Sequence, residues 1–213
     1  MVSKLRARNP EDKQARWGSI LTATLEMWQE TAYPNFTMHA LAARLGLAKG
    51  TLYLYFPTKE ALFLTLFERL LGDWLDYLEE ELSQGSWKAR KLAGLIAQSL
   101  AQRPPLARLF PLLESILEHN ITPAKARAYK TWLLHRAAPI AALLEQHLGL
   151  KRGMGIKVLA YTQALIAGIQ QMTDASPIVL EVLQEAPLHL LKLEFESDLQ
   201  AALTALFSGV QNR

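Results

Sequence analysis

Thr37-Met38-His39-Ala40-Leu41-Ala42-Ala43-Arg44-Leu45-Gly46-Leu47-Ala48-Lys49-Gly50-Thr51-Leu52-Tyr53-Leu54-Tyr55-Phe56-Pro57-Thr58-Lys59-Glu60-Ala61 is the stretch on which the fold turns. It reads as two short helices joined by a turn too tight for bulky residues. Thr37 is a good N-cap, because its hydroxyl can accept an orphan N–H of the first helical turn. Leu41, Ala42 and Leu45 form the inward face of the first of these helices. Ala42 is small enough to let the second helix approach, Gly46 supplies the left-handed backbone that the turn needs, and Leu47 plugs the angle. The second helix runs from about Lys49 to Phe56, with Leu52 and Phe56 facing the core, and Pro57 stops it. These are the requirements of a helix-turn-helix that holds its second helix ready for the DNA major groove.

Outward from this stretch the pattern stays helical. Apolar residues recur every three or four positions, and no alternating β-branched run is long enough for a strand. Upstream, a helix over about residues 10–31 places Ile20, Leu21, Thr24, Leu25 and Trp28 on one face. Downstream, Thr58 caps a long helix carrying Leu62, Phe63, Leu66, Leu70, Trp74, Leu75 and Leu78 towards Gln84. Further helices are predicted from a cap at Ser86 to about 102, over 106–119, from Thr122-Pro123 to about 148, over 155–173, a short one from Ser176-Pro177, and a last one opened by Pro187 and ending near Gly209. Nine or ten helices result. The expected architecture is all-α: an N-terminal three-helix helix-turn-helix domain over residues 1–57, and a larger C-terminal helical bundle over residues 58–213.

The resemblance is to the tetracycline-repressor (TetR) family. Its pattern of an Ile/Leu-Ala pair, a turn glycine, then Gly-Thr-Leu-Tyr-x-x-Phe-x-x-Lys-x-x-Leu is matched by Leu41-Ala42, Gly46, Gly50-Thr51-Leu52-Tyr53, Phe56, Lys59 and Leu62. Ile20-Leu21, Trp28, Tyr33 and Thr37 fit the upstream signature. The match covers the first third of the chain. This sequence departs from the family pattern at Ala48, where a Ser or Thr usually caps the recognition helix, at Ala32 for Gly, and at Thr24 for Ala.

The resemblance implies a set of DNA contacts that the residue chemistry supports. Lys49, Gly50 and Thr51 open the recognition helix, where backbone N–H groups and small side chains can approach bases or phosphate. Tyr53 resembles the family's phosphate-contacting tyrosine, with Tyr55 a second contact. Thr37 and Lys59 resemble phosphate clamps at the starts of two helices. Arg44 faces outward and can reach the DNA backbone, and Lys4, Arg6 and Arg8 form a candidate minor-groove arm. His39 reads as an exposed helix residue rather than a base reader.

Charge points the same way. The net charge is +3, and residues 1–60, with eight Lys/Arg and five Asp/Glu, carry all of it. A localised basic surface suits an anionic polymer. There is no cysteine, which removes disulfides and thiolate zinc sites and fits a reducing cytosol. No segment approaches the roughly 20 consecutive apolar residues of a membrane span, and the N-terminus has no apolar stretch behind its basic residues, so the expectation is a soluble, cytoplasmic protein without membrane contact.

The C-terminal two-thirds carries no motif. Its aromatic content suits an apolar or aromatic small-molecule effector, and the resemblance implies a pocket among the middle helices, with Trp87, Phe110, His119, Trp132 and Gln163 as candidate lining. The helix over 158–169, rich in Ala160, Ala164, Ala167 and Gly168, and the final helix, with Leu190, Leu193, Leu199, Leu203, Leu206 and Phe207, are expected to pair with their copies in a homodimer. Two recognition helices reading a palindrome combine contacts that one cannot supply alone.

Two rival classes make different demands on the sequence. A helical-bundle di-iron enzyme needs Glu-x-x-His on two helices, and no Glu here has His three residues later. With five dispersed His and no Gly-rich phosphate loop, no catalytic constellation, cofactor or metal is expected. A helix-turn-helix used for protein contacts remains the alternative, and it predicts no salt-sensitive DNA binding.

Overall fold

The computed structural model describes residues 10–211, so Lys4, Arg6 and Arg8 lie outside the described residues. Every regular element among those described is helical. The chain divides into two units, one ending at Phe67 and the other beginning at Glu68.

In the first unit α1 (Pro10–Glu30) is followed by a 3-10 turn (Tyr33–Asn35), α2 (Met38–Arg44), α3 (Lys49–Tyr55) and the start of α4 (Lys59–Ser83). The buried side of α1 is Ile20, Leu21, Ala23, Thr24, Met27 and Trp28, a 3.6-residue stripe. Thr24 buries its hydroxyl without penalty, because it donates to the carbonyl of Ile20 at 2.7 Å. The centre of this core is Phe63. Trp28, Tyr33 and Phe36 meet its ring edge-on at 5.4, 4.9 and 4.7 Å, a geometry worth about 1 kcal/mol per pair beyond area burial. Ala32 has an extended backbone, φ −70° and ψ 151°, which any residue adopts, so glycine is not required there.

In the second unit α4 continues through Trp74, Leu75, Leu78 and Leu82, all buried. Then come α5 (Ala89–Ala101), α6 (Pro104–Ala107), α7 (Phe110–Leu112) running into a π-turn (Leu113–Leu117) and a 3-10 turn (Glu118–Asn120), α8 (Pro123–Leu148), α9 (Met154–Thr173), α10 (Pro177–Val182), a 3-10 turn (Leu188–Leu191) and α11 (Phe195–Gln211). α11 packs chiefly on α5 and then on α9, and α8 packs on α9. Polar ties run along α4 and α8 in the same direction. Glu68 pairs with Lys125 at 2.8 Å, Asp76 and the Gly72 carbonyl take Arg136, and the Leu82 carbonyl meets His147 Nε2 at 2.9 Å.

Local signals held where the partner was local. Thr37, Thr122 and Ser176 each accept from the backbone N–H three residues on, and Gly149 ends α8 in the left-handed conformation at φ 65°. Three expectations are corrected. The N-cap of α5 is Lys88, not Ser86, and it makes no side-chain cap hydrogen bond. The helix expected over 106–119 is broken, because Pro111 cannot donate to the Ala107 carbonyl and its ring crowds it. Three-residue hydrogen bonds from Leu109 to Leu106 and from Leu112 to Leu109 carry the chain across the gap. Pro187 opens only the 3-10 turn, and the last helix starts at Phe195, so Leu190 and Leu193 lie outside it, while Leu199, Leu203 and Phe207 are fully buried within this chain and not free to face a second copy.

Candidate nucleic-acid interface

α2 and α3 pack on each other across a turn in which Gly46 has φ 63°. That is a left-handed conformation costing a residue with a Cβ about 1 kcal/mol. The Leu47 N–H returns to the Ala42 carbonyl at 2.9 Å, and Leu47 is half-buried in the angle. α3 is held from beneath by Leu52 and Phe56, both buried, and Trp17 of α1 stacks on the Phe56 ring at 6.2 Å. Ala48, the N-cap of α3, offers no side-chain acceptor, so the first turn of α3 keeps donors to spare for an outside acceptor.

With its inner side fixed, α3 turns Lys49, Gly50, Tyr53 and Leu54 to solvent, while Thr51 and Tyr55 are half-buried. The Lys49 ammonium lies 5.8 Å from the centre of the Tyr53 ring. At the start of α2 the exposed Thr37 hydroxyl accepts from the Ala40 N–H at 3.1 Å, which leaves its own proton to donate to a phosphate oxygen. Phe36 and Met38 on either side are buried and hold that cap in place. His39 is exposed on α2.

Among the candidate DNA contacts, Lys59 and Arg44 are cations that the fold ties to neighbours. Lys59, the first residue of α4, donates to the Tyr33 carbonyl and sits 3.8 Å over the Tyr33 ring. Burial lowers its pKa, against a smaller opposite pull from Glu60. The Tyr33 hydroxyl in turn donates to Glu60 at 3.2 Å, and burial, with Glu60 adding to it, raises the Tyr33 pKa well above the phenol range. Arg44 donates to Glu30 at 3.1 Å and Glu26 at 3.2 Å on α1, and the bond to Glu30 raises its pKa further. Sequence reading missed both clusters. Glu26 and Glu30 show helical spacing, but nothing local links them to Arg44, and Tyr33 and Lys59 are 26 residues apart.

In the second unit the five candidate lining residues come from separate segments. Trp87 is buried just before α5 and donates to the Glu81 carbonyl at 3.1 Å. Phe110 is buried against Trp74 with ring centres 6.2 Å apart. Trp132 is half-buried on α8, stacked on Tyr129 at 6.1 Å. Gln163 is half-buried on α9, and His119 is exposed. Next to Gln163, Thr162 buries a hydroxyl that has no hydrogen-bond partner, a polar atom that a ligand could satisfy. A cavity of about 650 Å³ opens elsewhere, where Leu100, Pro104, Ala107, Gln170, Phe195 and Gln200 face one another. None of the five candidates lines it, and no sequence pattern marked it. Among the described residues no helix is long and apolar enough to cross a membrane, and no acidic, His or Cys group could hold a metal ion.

Comparison with known proteins bears on both units. A family model described as bacterial regulatory proteins, tetR family, matches residues 20–66, and one described as tetracyclin repressor-like, C-terminal domain, matches residues 68–213. The fatty acid metabolism regulator protein of Bacillus subtilis (strain 168) is 30% identical over 88 residues, 41% of this chain and 45% of that protein. The HTH-type transcriptional regulator RutR of Escherichia coli (strain K12) is 31% identical over 61 residues, 29% of each. The match thus spans less than half the length of these curated relatives. Among solved structures, one described as a possible TetR family transcriptional regulator from Streptomyces coelicolor A3(2) superposes with a TM-score of 0.61 at 17% identity, over 92% of this chain and 98% of that one. The transcriptional regulator FadR from Bacillus subtilis, solved in complex with stearoyl-CoA, gives 0.52 at 20% identity, over 91% and 99%. At these identities the structures speak for the fold.

Proposed function

The chain belongs to the tetracycline-repressor family of bacterial regulatory proteins, and on that premise we propose that it is a transcriptional repressor that binds a palindromic operator as a homodimer and is released by a small, largely apolar effector. Residues 1–57 read DNA, and residues 58–213 bind the effector and dimerise. The observation that carries it is α3, whose Leu52 and Phe56 are buried while Lys49, Gly50 and Tyr53 face solvent.

Thr37 and Lys59 grip phosphates on either side of α3, with Thr51, Tyr53 and Tyr55 contributing from α3 itself. These contacts position the helix without reading sequence. Arg44 is the weaker member, because a phosphate has to compete with Glu26 and Glu30 for its guanidinium. Lys4, Arg6 and Arg8 are proposed as the minor-groove arm. The homodimer forms through α9 and α11. Exposed small residues recur along both, Ala160, Ala164 and Gly168 on α9 and Ala201 and Ala205 on α11, so the helices of two copies can approach closely.

The effector enters the second unit. FadR of Bacillus subtilis was solved with stearoyl-CoA, a ligand with a long apolar chain, and a largely apolar effector is proposed here by that analogy. The cavity of about 650 Å³ is an open groove whose rim also carries Arg108, Glu194 and Glu196, so it suits the polar end of such a ligand better than its apolar chain. Trp87, Phe110, His119, Trp132 and Gln163 remain proposed effector contacts, separate from that groove. Release requires that the effector bind the DNA-free arrangement of the dimer more tightly than the DNA-bound one.

The experiment is selection of fragments from sheared genomic DNA of the source organism by the purified protein at two salt concentrations. Enrichment of a palindrome, lost steeply as salt rises, is the expected result. No enrichment at either salt, from a folded protein, overturns the reading in favour of a helix-turn-helix that contacts protein.

A further inference from the structure

We propose that Leu54 gives α3 its sequence specificity by packing against the C5-methyl group of thymine in the major groove. The inference rests on the DNA-reading function proposed above. Leu54 is 84% exposed, more than any other large hydrophobic side chain given for the described residues. It therefore contributes almost no burial to the fold. One turn earlier stands Gly50, also exposed. Its backbone has no positive φ, and a Cβ placed on it would meet nothing within 4 Å. Neither conformation nor packing calls for glycine there, and glycine weakens a helix relative to alanine.

A residue that the fold does not bury and a glycine that the fold does not need thus lie side by side on the outer face of α3. An approaching surface explains both. The glycine lets the backbone come close, and the leucine supplies the contact.

The chemistry of α3 narrows what that surface is. From Lys49 to Tyr55 the sequence is Lys-Gly-Thr-Leu-Tyr-Leu-Tyr. It contains no Arg, Asn, Gln, Asp or Glu, and of the side chains that commonly contact base edges it has only Lys49 and the half-buried Thr51. The apolar tip of the exposed face is Leu54, flanked in sequence by Tyr53 at 37% exposure and the half-buried Tyr55. Of the groups displayed in the major groove, only the thymine methyl is apolar. A protein partner would require a wider apolar patch than one leucine beside Gly50 and Lys49.

The test begins with duplexes selected from a random-sequence pool by the full-length protein. Each thymine is then replaced by deoxyuridine, which deletes the methyl and nothing else. In every half-site at least one replacement should weaken binding about fourfold, and the symmetric pair about fifteenfold, the worth of one buried methyl per half-site. Leu54→Ala should bind the thymine and deoxyuridine duplexes equally. Leu54→Met, with its apolar tip kept, should retain most of the discrimination, as should Leu134→Ala, which removes an exposed leucine from α8. Full insensitivity of the wild type to every replacement, on DNA it still binds tightly, overturns the proposal and leaves the DNA-reading function standing. So does discrimination that survives in Leu54→Ala. A folded protein that selects no sequence at all overturns the DNA-reading function and this inference with it.

Discussion

The ammonium of Lys59 lies at the N-terminal end of α4, where the helix dipole disfavours a cation. The carbonyl and ring of Tyr33 hold it there while burial lowers its pKa. Stability gains little from a lysine in that place, and a phosphate would gain much. Lys59→Ala should weaken binding to all DNA sequences alike and make the dependence of log affinity on log salt shallower by about one unit. Fluorescence anisotropy across a salt series measures both, and an unchanged affinity and slope would contradict the clamp. The neighbouring Tyr33 carries a pH prediction. Its hydroxyl is neutral in the fold and its pKa is raised, chiefly by burial and then by Glu60. The stabilisation is therefore complete below the ordinary phenol pKa of about 10 and is lost as pH rises beyond it. Lys59 runs the other way, since a lowered pKa means the folded state gains as that lysine loses its proton. Melting temperatures between about pH 9 and 11.5 should fall more steeply for wild type than for Tyr33→Phe. Parallel curves would show that the phenol ionises as readily in the folded chain as in the unfolded one.

The clearest dependence of one element on another is at the α8–α9 turn. Glu145 of α8 accepts the N–H groups of Gly153 at 2.7 Å and Gly155 at 2.9 Å, capping a helix to which its own N-cap brings no side chain. A Cβ on Gly155 would run into the backbone of Ala141, whereas one on Gly168 of the same helix would meet nothing. Gly155→Ala should cost about 3 kcal/mol, read as a fall in denaturation midpoint, and Gly18→Ala on α1, where a Cβ also meets nothing and no dimer contact is proposed, should cost nothing. Equal midpoints would mean that α8 and α9 are further apart than described. The same contrast explains which elements were legible in the sequence. Thr37, Thr122-Pro123 and Ser176-Pro177 announced α2, α8 and α10 because a capping oxygen and the backbone N–H that donates to it lie three residues apart. Ser86 and Pro187 carried the same local signal but opened no helix of the expected length. Beside Ser86 the Trp87 indole turns back to the Glu81 carbonyl six residues earlier, and α5 starts without a side-chain cap. The π-turn at Leu113–Leu117 had no local signature beyond Pro111.

For the molecule as a whole, the all-helical class and the helix-turn-helix were readable because period, turn glycine and caps are properties of short windows. The candidate DNA contacts were readable for the same reason, since Lys49, Gly50, Thr51 and Tyr53 follow one another in sequence. The electrostatic neighbours that tune them, Glu26 and Glu30 for Arg44 and Tyr33 for Lys59, come from other helices and were not. Nor was the cavity of the second unit, whose walls come from residues between Leu100 and Gln200. The proposed dimer joins these scales, because two copies of α3 must present themselves to one duplex through contacts made by α9 and α11. The most direct measurement is a hydroxyl-radical footprint of the protein on its selected palindrome. A dimeric reader gives two protected tracts related by the two-fold axis of the site, their centres about 34 Å or a multiple of it apart. Both tracts should vanish together when a symmetric charge on α9, Ala164→Glu, prevents pairing. A single protected tract, or two that persist in that variant, would contradict the dimeric reader.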